Sequence, residues 1–472
     1  MFSSPTKCSG PDRHLSCCDA VLTVLGIVIG SGVFVTPALV AANTATIPRM
    51  FLAWALGGFL CLCGALSYAE LGAAFPHAGG EYVYLSTAFG RTVGFFFIWA
   101  RVTVIQTGAI AATAYIFGHY VAEIYPMGPF APVFLALIAT IGLTGVNAVG
   151  LKATRWTQNV LTTAKILGIT AIVVVGLVLV DAPPESNGID STTAPVATGS
   201  FGLAMVFVLY TFGGWNEASY VAGDVRHPAR QMRRILVISV LSLTALYIAV
   251  NLAYLRILGT EGMSDSMAVA AHALERVTGR PGNIAVSTLV AVSALGAVNG
   301  CIFTGARAMW AAGGDFTAFR HWASWHPRLA TPLHALLLQG TIAVILILLP
   351  AAGGRLRELL GLGFETAIEY TAPAFWIFML LTSIAPVLLR WRNPTLERPF
   401  RIPLYPFPSI LLAAMSTYML YCSLAYTRLG ALVGVGVLIA GIPIYWYSEC
   451  TWRQQSRTDS EAAVAPPGSG HS

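Results

Sequence analysis

Residues Val24 to Pro37 read VLGIVIGSGVFVTP, an apolar stretch interrupted at its centre by Gly30, Ser31 and Gly32. A stretch this apolar is expected to cross a bilayer. Two glycines flanking a serine are poor helix formers, so the helix should break part way through. Hydrocarbon offers no partner to a freed backbone N–H or C=O. A break at that depth is tolerated only where protein encloses it or a wet cavity reaches it, which makes it a candidate site. The amides that open the second half-helix would attract an anion such as a carboxylate. Close packing of helices through small residues is the plainer explanation, and this motif alone leaves the two readings even.

A second interrupted run alters that balance. Phe201 to Val221, FGLAMVFVLYTFGGWNEASYV, is apolar with Gly213 and Gly214 at its middle. Paired glycine-interrupted helices in corresponding positions of two halves are the best sequence pointer to the binding site of a secondary transporter. Matching Ser31 with Gly214 gives a repeat of roughly 180 residues, room for five crossings and their loops. One break would present N–H groups and the other free carbonyls.

Composition supports the membrane assignment independently. The 472 residues are 56% hydrophobic and 10% charged, with mean hydropathy +0.70, far more apolar than a water-soluble domain. The net charge of +6 does not mark a nucleic-acid binder, because the arginines fall in short loops between apolar runs. Apolar runs recur near 18–42, 50–75, 92–118, 131–149, 156–180, 199–223, 234–258, 281–313, 332–350, 362–390, 404–426 and 429–448, about twelve crossings. The tails and even-numbered connections hold seventeen Lys and Arg against seven in the odd-numbered ones, which puts both termini on the cytoplasmic side. No small-residue cleavage site follows the first run, so the first helix is expected to stay.

The eight cysteines form no disulfide framework and no metal-ligand spacing; several lie within apolar runs, where thiols act as small hydrophobes. Neither metal nor cofactor is expected. Pro76 to Gly90, PHAGGEYVYLSTAFG, is too short and too broken to cross and reads as an interfacial helix or cytoplasmic plug. The outer loop from Asp181 to Gly199 reads as flexible, and the tail after Ser456 as disordered.

These motifs, together with GDVRHPARQMRRIL after the second break, VNGCIFTGARAMW at Val298 to Trp310 and RPFRIPLYPFP at Arg398 to Pro408, resemble the amino acid/polyamine/organocation superfamily. Within it the chain is most similar to L-type amino acid transporters and bacterial amino acid permeases, over about residues 18 to 448. The resemblance implies an all-α LeuT-type fold of about twelve transmembrane helices. In that layout 1–17 is a cytoplasmic tail and 18–181 the first inverted repeat. An extracellular loop at 182–198 leads to the second repeat at 199–390, then to helices eleven and twelve at 391–448 and a cytoplasmic tail at 449–472.

It also implies an amino acid substrate held by the two broken helices. The α-carboxylate would sit on Ser31 and Gly32, and the α-amino group would meet carbonyls of Ile29, Tyr210, Thr211 and Gly213. Tyr210 takes the place of the family's aromatic gate. Trp215, Asn216 and Glu217, which follow the second break, would shape the side-chain pocket. Gly30, Phe212 and Gly214 complete the twelve candidate positions. A helix N-terminus and a set of peptide carbonyls can together replace the hydration of a zwitterion without buried counter-charges.

Lys165 is the most informative single charge. Ten residues beyond Arg155, at about 1.5 Å each, it lies roughly 15 Å deep in a hydrocarbon core of about 30 Å. An ammonium there is costly and seldom accidental. The resemblance assigns a fifth-helix lysine to the position that sodium serves in ion-coupled relatives, implying sodium-independent transport. Arg101 has Glu365, Glu369 and Glu70 as candidate partners. Glu217 is open to three roles: favouring a polar or cationic substrate, carrying a proton, or structural hydrogen bonding. Arg307 and Asp224 are expected to reach water near inner helix ends.

Light-chain members of the family carry a cysteine in the outer loop between helices three and four. His119 to Pro129 has none, so no disulfide-linked heavy subunit is expected, and oligomeric state is not legible. Three rivals remain: a proton-coupled amino acid or polyamine permease, a non-transporting amino acid sensor with the same pocket, and an intramembrane serine hydrolase using Ser31 with a histidine such as His334.

Overall fold

The computed structural model describes residues 14–44, 46–180, 200–266, 268–351 and 364–464. The expected outer loop and the distal parts of both tails lie outside the described residues. Every element is helical, and no strand occurs among the described residues beyond two isolated bridges, Leu15 with Val225 and His326 with Thr331.

The first half runs α1 (Cys17–Val28), α2 (Gly32–Thr44), α3 (Ile47–Ala74), the short α4 (Glu81–Phe89), α5 (Arg91–Ala100), α6 (Gln106–Ile124), α7 (Ala131–Val149) and α8 (Leu151–Val174). A π turn at Arg101–Ile105 joins α5 to α6. The second half begins with α9 (Phe201–Thr211) and a 3-10 turn at Trp215–Val221. It continues through α10 (Pro228–Ser264), α11 (Val269–Thr278), α12 (Arg280–Gly313), α13 (Leu333–Ala351), α14 (Phe364–Arg392) and α15 (Phe407–Val464).

Among the described residues eight helices are long and apolar enough to cross a membrane, nine when the bent pair α1 and α2 counts as one span. The other expected spans fall on α9, on the shorter apolar helix Leu333–Leu349, and on the far half of α15. Two crossings were expected where α15 runs as a single helix of 58 residues. That division came from the thickness of a membrane, whereas the helix runs on past its one internal proline, Pro443. The sequence also gave no hint of α11. Its start follows a kink in α10 at Gly259, whose φ is 73°.

Residues on the outer faces are apolar: Phe134, Ile141, Trp156 and Leu167 are all exposed, as a surface facing lipid requires. The chain is a multi-pass membrane protein. Inside, Trp54, Phe212 and Tyr247 belong to one buried cluster around the broken helices, while Phe95, Phe97, Ile302 and Phe378 belong to a second. Within the Pro76 to Gly90 stretch, read as an interfacial helix or cytoplasmic plug, Glu81–Phe89 folds as α4 and buries Glu81, Tyr82, Tyr84 and Leu85.

Candidate functional site

The first break opens where the sequence places it. α1 stops at Val28, Ile29 leaves helical geometry at φ −72° and ψ 78°, and α2 restarts at Gly32 with a bend of 54°. The Gly30 amide turns back onto Val28 O at 2.8 Å, and the Phe34 amide onto Ser31 O at 3.1 Å. Among the described residues the amides of Ser31, Gly32 and Val33 find no acceptor, as expected at a helix start. They form a donor set with the positive end of the α2 dipole behind it.

The carbonyls at this break are treated differently. Lys165 Nζ donates to Gly26 O at 2.7 Å, Ile29 O at 2.9 Å and Ser293 O at 2.9 Å. Its three protons thus meet three backbone oxygens. Ser293 Oγ adds a second donor to Ile29 O at 2.7 Å. Both lone pairs of the Ile29 carbonyl are therefore engaged from inside the protein. The lysine ties α1 and α8 to α12, a third helix that the sequence did not indicate.

The second break is built around Gly214, whose φ of 103° is left-handed backbone that suits glycine. α9 ends at Thr211, and the chain resumes as the 3-10 turn. Thr36 and Thr211 hydroxyls lie 2.7 Å apart, joining α2 to α9. Tyr247 OH stands 3.3 Å from Val28 O and 3.2 Å from Thr211 O, so one phenol spans both breaks.

Between them lies a cavity of ≈ 250 Å³. Nine of the twelve candidate positions line it: Gly30, Ser31, Gly32, Tyr210, Thr211, Gly213, Gly214, Asn216 and Glu217. Tyr210 keeps 41% of its surface exposed at this cavity. Ile105, Gln106, Ala112, Phe375 and Trp376 supply other parts of the wall, a largely apolar surface with few polar groups.

Three candidates lie elsewhere. Ile29 is fully buried. Phe212 packs between Trp54 and Tyr247, with ring centroids 6.3 and 4.9 Å away. Trp215 stands edge-on to Tyr68 at 5.0 Å. A helical or 3-10 turn has two sides, and these side chains point into the bundle.

Behind the cavity lies a polar network that sequence reasoning missed. Asn216 Nδ2 donates to Glu81 Oε1 at 2.8 Å, while its own Oδ1 is buried with no partner among the described residues. Glu81 also accepts from Tyr68 OH at 2.6 Å and Tyr220 OH at 2.7 Å. Arg101 does not pair with Glu70; its Nη2 donates to both Glu217 oxygens, at 2.9 and 2.8 Å. Glu70 instead meets Arg390 at 2.8 Å and the Ile402 amide at 2.7 Å. The side chains of Glu365 and Glu369 lie outside the described residues. The π turn at Arg101 is the kind of irregularity that often marks a functional position, but apolar periodicity does not announce it.

Asp224 and Arg307 do not reach water. They are 0% and 1% exposed and paired through Nε to Oδ2 at 2.6 Å. The N-terminal segment seals them: Leu15 N donates to Asp224 O at 2.8 Å, and Arg226 N to Leu15 O at 3.0 Å. His334, the example of a base in the hydrolase alternative, has its Nδ1 against Ser324 Oγ and is not among the described residues that line the cavity with Ser31.

Comparison with known proteins identifies the family. The amino acid permease family model matches residues 15–446. The b(0,+)-type amino acid transporter 1 of Mus musculus is 29% identical over 463 residues, covering 96% of this chain and 92% of the relative. The human protein of the same name is 30% identical, covering 85% and 81%. The human large neutral amino acids transporter small subunit 2 is 30% identical, covering 90% and 78%. A match spanning nearly every helix described above, including both breaks, establishes that the chain belongs to the amino acid permease family.

Proposed function

We propose that this protein is a secondary transporter that moves amino acids across a cell membrane by alternating access, as a sodium-independent exchanger or facilitator. The observation that carries the proposal is a cavity bounded by both interrupted helices, with free amides on one side and the carbonyl end of α9 on the other. The amides of Ser31, Gly32 and Val33 take the α-carboxylate. The α-ammonium meets the carbonyl end of α9 around Tyr210 and Gly213, with Asn216 Oδ1 within the same wall. Ile29 contributes through Lys165 and not through a free carbonyl. Tyr210 closes the path over the bound solute.

The fold is the LeuT-type arrangement of two inverted five-helix repeats plus two further helices, with both termini in the cytoplasm. Lys165 supplies a fixed cation at the break, which removes the need for a sodium ion there. The chain works without a disulfide-linked second subunit, since residues 119–129 hold no cysteine. Membership of a permease family favours transport over hydrolysis.

Purified protein in liposomes, given a panel of labelled amino acids with and without internal substrate, tests this. Uptake that rises with internal amino acid and is unchanged when choline replaces sodium is expected. Binding without flux would support a sensor, and collapse of uptake in choline would reject the lysine's role.

A further inference from the structure

Glu217 is the one acidic or basic side chain among the described residues that line the cavity, and it does not stand alone. Its side chain is 9% exposed, whereas Arg101 is 2% exposed and lies behind the wall, outside the cavity lining. The guanidinium bridges both carboxylate oxygens through Nη2 and lies 3.8 Å over the Tyr220 ring. Tyr220 in turn donates to Glu81. The π turn that starts at Arg101 offsets the helix by one residue there.

We propose that Arg101 sets the side-chain charge this cavity accepts, by cancelling the Glu217 carboxylate from behind, so that loss of the guanidinium opens the site to cationic amino acids. The proposal rests on the transport reading above and deepens it.

Around the cavity two buried carboxylates, Glu81 and Glu217, face two buried cations, Arg101 and Lys165. Lys165 is committed to backbone oxygens and Glu81 to three donors, which leaves Glu217 and Arg101 as the adjustable pair. Taken at their formal charges, the four sum to zero before solute enters. A zwitterion with a neutral side chain leaves that balance intact. Lysine or ornithine would bring one uncompensated positive charge into a wall of low polarity, where an unpaired charge is costly. Without the guanidinium, the same wall carries one net negative charge, and its carboxylate faces the solute. Arg101 acts only through Glu217, so it is a positioning residue for charge, not a substrate contact.

The experiment reads the ratio of lysine to leucine uptake in proteoliposomes for five proteins: wild type, Arg101→Gln, Arg101→Lys, Glu217→Gln and the Arg101→Gln/Glu217→Gln double variant. Wild type is expected to prefer leucine. Arg101→Gln should raise the lysine to leucine ratio by about ten-fold or more, a gain that simple loss of stability cannot produce. Arg101→Lys, which keeps the charge, should stay within about two-fold of wild type, and the double variant should return to the wild-type preference.

A folded Arg101→Gln variant with an unchanged ratio overturns the proposal, as does a double variant that retains the gain or a wild-type preference for lysine. If Arg101→Gln does not fold, Glu217→Gln decides. Its stranded guanidinium should lower the ratio by about ten-fold, and an unchanged ratio overturns the idea. Wild-type protein that moves no amino acid at all sinks the transport reading instead, which keeps the two failures distinct.

Discussion

The two broken helices solve the same problem in opposite ways. At the first, side chains from other helices take the carbonyls: Lys165 and Ser293 converge on Ile29 O and its neighbours, leaving the amides of Ser31 to Val33 open. At the second, backbone conformation does the work, with Gly214 in left-handed geometry and the polar residues after it wired to Glu81 and Arg101. One break is held by a cation and offers donors. The other is held by a glycine, and in the function proposed above its carbonyls are the side that meets the solute's ammonium. A dipolar solute bound between them would therefore be oriented by main-chain atoms, while selection of its side chain falls to Glu217 and the apolar wall.

Substitutions at each break separate these roles. The largest effect is expected for Gly32→Val. A Cβ there comes within 3.3 Å of Thr211 Cγ2, so a branched side chain would intrude between the half-helices. Uptake should fall below detection while membrane insertion and elution as a folded protein persist; normal uptake by an inserted variant would falsify the donor role of this break.

Lys165→Met comes next, because it strips a donor from three buried carbonyls at once. A destabilisation of about 2 kcal/mol, read as a lower midpoint of thermal unfolding in detergent, should accompany uptake reduced by about ten-fold or more. Unchanged stability would mean that Ser293 alone suffices to hold the first break.

At the second break, Gly214→Ala forces a Cβ into left-handed backbone at a cost of about 1–2 kcal/mol. Its predicted signature is several-fold weaker uptake with little change in the choice among amino acids. A variant that instead changes preference would show that the second break reads side chains directly.

Tyr247→Phe is the mildest. It removes the hydroxyl that spans Val28 O and Thr211 O, worth about 1 kcal/mol, and should lower uptake about five-fold while leaving Phe212 packed. A larger loss would imply that the two breaks move as one unit.

Much of this was legible before any coordinates. Glycine pairs inside apolar runs are a local signal that located both interruptions, and nine of the twelve candidate positions placed around them, partly through the family resemblance, line the cavity. The other three, Ile29, Phe212 and Trp215, share those segments but point away from the cavity, and in irregular backbone no helical period tells the two sides apart. The buried network was harder to foresee. Glu81 lay in a stretch that read as interfacial, and the partner of Arg101 was sought on distant carboxylates.

The sequence by itself determined that the chain crosses a membrane many times, that two of its apolar segments are interrupted by glycines, and that Lys165 lies near the middle of a span. Each of these depends on a residue and its immediate neighbours. Only the tertiary structure decided that Arg101 pairs with Glu217, 116 residues away, that Lys165 reaches Ser293 as well as α1, and that Asp224 and Arg307 are sealed under Leu15. A buried charge requires a partner, but which one it finds depends on which helix faces pack together, and that is a property of the assembled bundle.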